Sequence, residues 1–147
     1  MNDLLRTAVA SGEHERIRAL LAQGADVNAD DGGEETYVYV AAAAGHAACV
    51  RALGELGADV NKCSAGGESP AWIAAQEGHV MCIQALHELG ADINKFNTLG
   101  ISPVFIAAEN GHVECVRLLG ELGADVNKCR TTDGSSPVYF APVLMAV

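Results

Sequence analysis

The chain has 147 residues, of which 50% are hydrophobic and 19% are charged, and its formal net charge is −10. This length fits one domain with a sizeable core. The acidic balance argues against nucleic acid and membrane surfaces as partners, because both are bound by clustered Lys and Arg, and it favours basic protein partners. No apolar run approaches the roughly 18 residues of a membrane-spanning helix, and the charges within residues 1–20 argue against a signal peptide.

One five-residue pattern, Gly-Ala-Asp-Val/Ile-Asn, organises the chain. Its four copies begin at Gly24, Gly57, Gly90 and Gly123, each 33 residues after the one before. A fixed period of this length without insertions indicates a stack of repeats in which neighbouring units cover one another's apolar faces. We therefore predict a single domain over residues 1–147, with repeats at about 1–33, 34–66, 67–99 and 100–133 and a truncated fifth repeat at 134–147.

The first repeat contains two predicted helices, one on each side of the break at Ser11-Gly12, because apolar residues recur at helical spacing in both halves. Arg6 and Arg16 occupy positions that carry aromatic residues and cysteines in later repeats. A terminal repeat has no neighbour on its outer side, so charged residues at these positions indicate an N-terminal cap.

The next three repeats carry clearer helix signals. In the second repeat, Thr36 is the predicted N-cap of a helix over about 37–44, and a second helix over about 47–56 is stopped by Gly57. Ser-Pro pairs at 69–70 and 102–103 place a capping hydroxyl before a proline at the first helical position. Second helices are predicted near 80–89 and 113–122.

The C-terminal segment departs from the period, because the pair Ser136-Pro137 comes one residue late. It has room for one helix, which Pro142 would shorten or kink, and residues 137–147 carry no charged side chain. The outer face of the fourth repeat, with Cys115, Val116 and Leu119, then lacks a covering helix. Three arrangements would resolve this: a longer natural chain, a tail folded over the open end, or a homodimer through the C-terminal end.

The fourth repeat shows the resemblance to a known family most clearly. From Ser102 to Leu119 it reads SPVFIAAENGHVECVRLL, and together with the Gly-Ala-Asp-Val-Asn stretch this resembles the ankyrin repeat. The resemblance covers nearly the whole chain. It implies an all-α ankyrin repeat solenoid of stacked helix-turn-helix units with hairpin-like finger loops. It also implies a non-catalytic module, without a cofactor, that binds a protein partner through the fingers and the concave face of the first helices.

Two departures from the ankyrin pattern concern packing between repeats. Aromatic residues replace the histidine that normally ties neighbouring loops by hydrogen bonds, namely Tyr39, Trp72, Phe105 and Tyr139. We expect the rings to substitute packing for those bonds, although Tyr and Trp can still donate. Gly54, His87 and Gly120 stand where the family usually has leucine. The leucines two residues further on are expected to supply the lost apolar area, namely Leu56, Leu89 and Leu122.

The resemblance places partner recognition at the finger tips and on the outer face of the first helices. Phe96, Leu99 and Ile101 are the most distinctive residues there, because they put apolar side chains where loops are usually polar. The alternative for Phe96 and Ile101 is packing under the adjacent finger. The acidic residues of the first finger are either a solvated loop tip or a contact for a basic partner. The full predicted set is Glu34, Glu35, Glu68, Gln76, Glu77, Phe96, Leu99, Ile101, Glu109 and Asn110.

Other chemistry has little support in the sequence. Three pairs with i, i+3 spacing lie on one helix face and could each supply two metal ligands, namely His46 and Cys49, His79 and Cys82, and His112 and Cys115. Because the pair recurs in successive repeats, we favour a structural interpretation, in which the histidine caps the second helix and the cysteine packs in the core. We predict no metal site and no catalytic residue.

The asparagine that ends each Gly-Ala-Asp pattern resembles the site modified by the asparaginyl hydroxylases that act on ankyrin repeats. The predicted positions are Asn28, Asn61, Asn94 and Asn127. The alternative is that the asparagine side chain bonds the backbone and fixes the loop.

The five cysteines are predicted to be reduced. Cys49, Cys82 and Cys115 share one repeat position and should be buried, whereas Cys63 and Cys129 share another and should be more exposed. Ankyrin repeats stack roughly 10 Å apart, whereas a disulfide needs Cα atoms within about 7 Å. Free thiols indicate a reducing, intracellular compartment such as the cytoplasm.

An architectural role is the alternative function. The third and fourth repeats are nearly identical, whereas recognition surfaces usually diverge between repeats. The chain could therefore be a spacer, or a fragment of a larger ankyrin-containing protein.

Overall fold

The structure, a computed structural model, describes residues 1–29 and 35–125, and these ranges form eight α-helices and no β-strand. Four of the helices open a repeat and are called first helices: α1 (Asn2–Ser11), α3 (Tyr37–Ala44), α5 (Pro70–Glu77) and α7 (Pro103–Glu109). The other four are second helices: α2 (His14–Ala22), α4 (Ala47–Glu55), α6 (Val80–Glu88) and α8 (Val113–Glu121). The bounds of α3, α4, α6 and α8 lie within one residue of the predicted ones. None of the described helices is long and apolar enough to cross a bilayer.

The helices are arranged in two layers. Each first helix packs against the second helix of its own repeat and against the first helices of the adjacent repeats, and the second helices pack on one another in the same order. The arrangement therefore recurs by translation along the stack, which confirms the predicted all-α solenoid of helix-turn-helix units. Each predicted repeat from 1–33 to 100–133 holds one helix pair, while the assignment of all 147 residues to one domain stays a prediction.

The first helices begin and end where the capping residues place them. The hydroxyls of Thr36, Ser69 and Ser102 each accept a hydrogen bond from the backbone N–H three residues further on, at 3.1 Å. This satisfies one of the N–H groups that a helix start leaves unpaired, as predicted. At the other end, α3 stops at Gly45, whose φ of +81° is a left-handed conformation that favours glycine.

The space next to Gly54 is filled by the following repeat. A Cβ atom built on Gly54 would overlap Cδ1 of Leu89, and Leu89 packs against the core. Leu56, which was expected to replace the missing leucine within its own repeat, is instead 44% exposed. That expectation is wrong for Leu56, because the compensation comes from the leucine of the next repeat and acts across the interface.

The cysteines of the described residues are unpaired, as predicted. Cys49, Cys82 and Cys115 are buried, whereas Cys63 is half-buried and its Sγ lies 3.4 Å from the Asn61 carbonyl oxygen. Burial raises the pKa of Cys49, and it raises the pKa of Cys82 and of Cys115 to about 11. Because the thiolate is the reactive form, these three thiols are poor nucleophiles at neutral pH. Cys129 lies outside the described residues.

Thiol labelling tests this arrangement. In the native chain at neutral pH, we expect Cys63 to react rapidly with a soluble thiol reagent, while Cys49, Cys82 and Cys115 react only as fast as the fold opens. Mass spectrometry of peptides from timed samples assigns the label to each cysteine, and unfolding in urea should equalise the rates. Rapid native labelling of Cys82 would contradict the buried assignment.

The residues expected at the open C-terminal end are covered. Cys115, Val116 and Leu119 belong to the core cluster and are buried. They therefore form no exposed apolar surface that would favour a homodimer. The truncated fifth repeat at 134–147 lies outside the described residues, and the three arrangements of the C-terminal end stay predictions.

Candidate protein-binding surface

Two finger loops precede α5 and α7, and each is closed by its own backbone. We call residues 62–68 finger 2 and residues 95–101 finger 3. In finger 2 the Ser64 N–H donates to the Glu68 carbonyl at 2.9 Å, and in finger 3 the Asn97 N–H donates to the Ile101 carbonyl at 3.0 Å. Equivalent bonds at equivalent positions give the two fingers the same hairpin-like shape.

Finger 3 is also bonded to finger 2. The backbone N–H and the hydroxyl of Thr98 both donate to the Gly66 carbonyl, at 3.0 and 2.9 Å. Within finger 3 the Asn97 side chain accepts from the N–H groups of Leu99 and Ile101, at 3.0 Å each. Sequence reasoning missed Asn97, although an Asn followed three residues later by Gly100 is a turn signal. The finger pair is therefore held in one shape before any partner binds.

The three apolar residues predicted on finger 3 have different environments. Leu99 is 54% exposed at the tip. Phe96 is half-buried and lines a cavity of about 270 Å³ with Asn94 and Val104. Ile101 is 8% exposed and belongs to the core, so of the two alternatives for this residue packing is the one found, and presentation to a partner is wrong. Ile101 packs in the core because it precedes the N-cap Ser102, where the chain enters the stack.

The acidic finger residues also differ. Glu35 is exposed, and its carbonyl accepts from Arg6 at 3.3 Å. The Glu68 carboxylate is half-buried, accepts from the Ser64 hydroxyl at 3.1 Å and lies 3.4 Å from the Tyr39 hydroxyl. Burial, and next the Glu68 charge, raise the pKa of Tyr39 to about 12. Glu68 thus ties finger 2 to the preceding repeat, and Glu34 lies outside the described residues.

The aromatic residues at the departure positions reach the finger of the following repeat. Trp72 is buried and its indole N–H donates to the Ile101 carbonyl at 3.0 Å. Tyr39 reaches Glu68 in the same way, and in the first repeat Arg6 reaches Glu35. Tyr39 and Trp72 therefore both pack and donate, as expected, and they position fingers 2 and 3 from the repeat before each.

A second part of the surface lies at the C-terminal turns of the first helices. We call it the first-helix face, and its residues are Ala10, Ser11, Ala43, Ala44, Gln76, Glu77, Glu109 and Asn110, all exposed or half-buried. The Gln76 amide donates to the Glu77 carboxylate at 2.9 Å, and the Asn110 amide donates to the Gln76 carbonyl at 3.1 Å. Three of the residues predicted for partner binding, Gln76, Glu77 and Asn110, are thus bonded together across two repeats, and Glu109 is exposed at the end of α7.

At the edge of this face, each histidine joins the turn before a second helix to the first helix of the preceding repeat. His46, His79 and His112 place Nε2 at 3.1, 3.1 and 2.8 Å from the carbonyl oxygens of Ala10, Ala43 and Gln76. A carbonyl can only accept, so Nε2 carries the proton. The histidines do occupy the N-cap positions, but their side chains make no capping bond there. The expectation of side-chain capping is wrong, because the ring reaches the preceding repeat instead.

The described residues contain no group of three or more His, Cys, Asp or Glu that could hold a metal ion. In each His–Cys pair the histidine Nε2 is bonded to a carbonyl and the cysteine is buried. The pairs therefore act in packing and in holding repeats together.

The asparagines of the repeat pattern connect one repeat to the next. The Asn28 side chain accepts from the Asp59 N–H at 2.9 Å and donates to the Gly57 carbonyl at 3.0 Å. The Asn61 side chain accepts from the Asp92 N–H at 2.7 Å. The asparagines thus fix the backbone of the following repeat's turn. Hydroxylation of Asn28, Asn61 and Asn94 stays a prediction, and Asn127 lies outside the described residues.

The fold and its inter-repeat bonds define a helical repeat protein built from 33-residue units. The family described as ankyrin repeats (3 copies) matches residues 5–97 and 71–142, so the chain belongs to the ankyrin-repeat family. Ankyrin repeats are generally protein–protein interaction modules and are generally non-catalytic. A comparison with curated proteins gave no match.

Proposed function

We propose that the chain binds a protein partner, without catalysis, through fingers 2 and 3 and the first-helix face. The observation that carries the proposal is the finger pair. Its shape is fixed by hydrogen bonds, and the Leu99 side chain is 54% exposed at the tip of finger 3. A large apolar side chain on a loop fixed by several hydrogen bonds loses little conformational entropy when it is buried by a partner. Leu99 is therefore the proposed anchor, with Phe96 on the same finger, and the exposed Glu35 before α3 is a further proposed contact.

The alternatives are a spacer role and a homodimer through the C-terminal end. A spacer requires no anchor, so it predicts that no partner depends on Leu99. The chain is proposed to work in a reducing cytoplasmic compartment, which the unpaired thiols of its four described cysteines support. Enzymatic modification of the asparagines would add a second kind of partner, a hydroxylase, that reads the repeat pattern itself.

Substitution of the anchor tests the proposed function. We expect Leu99→Ser to weaken partner binding by about tenfold or more, because an apolar hot spot contributes on the order of 2 kcal/mol. The melting temperature should change by only a few degrees, since the side chain is mostly exposed. Immobilised chain is used to capture proteins from a matching cell extract, which are then quantified by mass spectrometry. Leu56→Ser is the matched control, because Leu56 is a 44% exposed leucine at the end of a second helix. If the wild-type chain and both variants capture the same proteins equally well, the proposal is overturned and a spacer role is favoured.

A further inference from the structure

The second helices carry charges of both signs, whereas the first-helix face carries charge of one sign only. Four arginines lie on second helices, and each has a carboxylate partner: Arg16 with Glu13, Arg18 with Glu55, Arg51 with Glu88, and Arg117 with Glu114. On the first-helix face Glu77 and Glu109 are exposed, and neither forms an ion pair within the described ranges. The second helices therefore carry charges of both signs, with the exposed Glu15 and Glu121 in addition to these pairs, whereas the first-helix face carries only the negative charges of Glu77 and Glu109.

The side chains of the first-helix face also differ in size and charge from one end of the stack to the other. In the first two repeats it presents only short, uncharged side chains, Ala10, Ser11, Ala43 and Ala44, beside the half-buried Val40. In the third and fourth repeats the same positions carry Gln76, Glu77, Glu109 and Asn110. Short side chains leave room for bulky apolar groups of a partner, and the carboxylates attract cationic groups.

We propose that the first-helix face binds a basic segment of a protein partner, with its Lys and Arg side chains over the third and fourth repeats and its apolar side chains over the first and second. This inference rests on the proposed function. It adds the charge of the bound segment and its orientation along the stack of repeats. Charge complementarity carries it, because both charged residues of the first-helix face are glutamates, whereas Arg6 of α1 bonds the Glu35 carbonyl. The two described lysines, Lys62 and Lys95, lie at the start of the fingers.

A displayed library of random 15-residue peptides tests the inference without a known partner. Peptides selected on the wild-type chain are synthesised and their dissociation constants are measured. We expect the selected peptides to contain a cluster of Lys and Arg on one side of an apolar block. Glu77→Lys with Glu109→Lys should weaken their binding by about tenfold or more, and salt above about 0.3 M should weaken wild-type binding, because exposed charges are screened.

A charge-reversal control, a folding check and a binding measurement with Leu99→Ser separate the possible results. Glu15→Lys with Glu121→Lys makes the same charge change on the second-helix layer and should alter binding less than twofold, and circular dichroism checks that each variant is folded. Selected peptides without a positive cluster, or binding unaffected by the Glu77 and Glu109 reversals, would overturn the inference. If such peptides still lose binding with Leu99→Ser, the proposed function stands and only the partner's chemistry is wrong. A selection that yields no specific peptide would overturn both.

Discussion

Trp72→Ala is expected to destabilise the chain by about 3–5 kcal/mol, as is usual for removing a buried aromatic ring. Trp72 is 4% exposed, lies in α5 and bonds finger 3. The loss is comparable to much of a domain's net stability. Trp72 joins the third repeat to the fourth, so we expect the unfolding transition to broaden as these two repeats lose part of their coupling. Urea unfolding followed by far-ultraviolet circular dichroism measures this, because the variant lacks the only tryptophan.

Trp72→Phe separates packing from hydrogen bonding at the same position. The Ile101 carbonyl also accepts from the Asn97 N–H, so loss of the indole donor leaves that oxygen with one partner. We expect a loss of only about 0.5–1.5 kcal/mol. Phe105 occupies the equivalent position in the fourth repeat, where the fold already accepts phenylalanine. If Trp72→Phe is as damaging as Trp72→Ala, then the bond to finger 3 contributes more than the packing of the ring.

Much of this fold could be predicted from local signals in the sequence. The caps at Thr36, Ser69 and Ser102 and the left-handed stop at Gly57 depend on residues within one turn of the helix end. Such signals are complete within a few residues of sequence. The 33-residue period then gave the translational stacking, because each unit is too small to bury its own apolar face.

Side chains that act between repeats were harder to assign. His79 could have capped its own helix, and Leu56 could have replaced the leucine missing at Gly54, if only the local sequence mattered. Instead His79 bonds Ala43 of the preceding repeat, and Leu89 of the following repeat fills the space at Gly54. These contacts depend on how far one repeat is offset against the next, which the period alone does not specify. The same reason explains why Ile101 was expected on the surface and Asn97 was overlooked.

The glycines after the first helices provide a direct test of how adjacent repeats are offset against one another. Gly45 has φ of +81°, and a Cβ built on it would lie 2.7 Å from both Cε1 and Nδ1 of His79. The ring cannot move away freely, because its Nε2 holds the Ala43 carbonyl at 3.1 Å. Gly45→Ala must therefore accept a strained left-handed backbone and also displace the histidine. We expect it to lower the free energy of unfolding by about 2–3 kcal/mol, the strain and the lost hydrogen bond together.

Gly111 is the matched control for Gly45, because it occupies the equivalent position with φ of +75° but has no described atom within 4 Å of an added Cβ. Gly111→Ala should show the backbone strain alone, about 1–2 kcal/mol. In a chain that already carries His79→Ala, the added effect of Gly45→Ala should fall to the same value, because the ring it displaces is gone. Chemical unfolding of the two single variants and the double variant gives this coupling energy. Equal effects of Gly45→Ala with and without His79 would show that the histidine does not pack on Gly45, and that adjacent first helices are joined by other contacts.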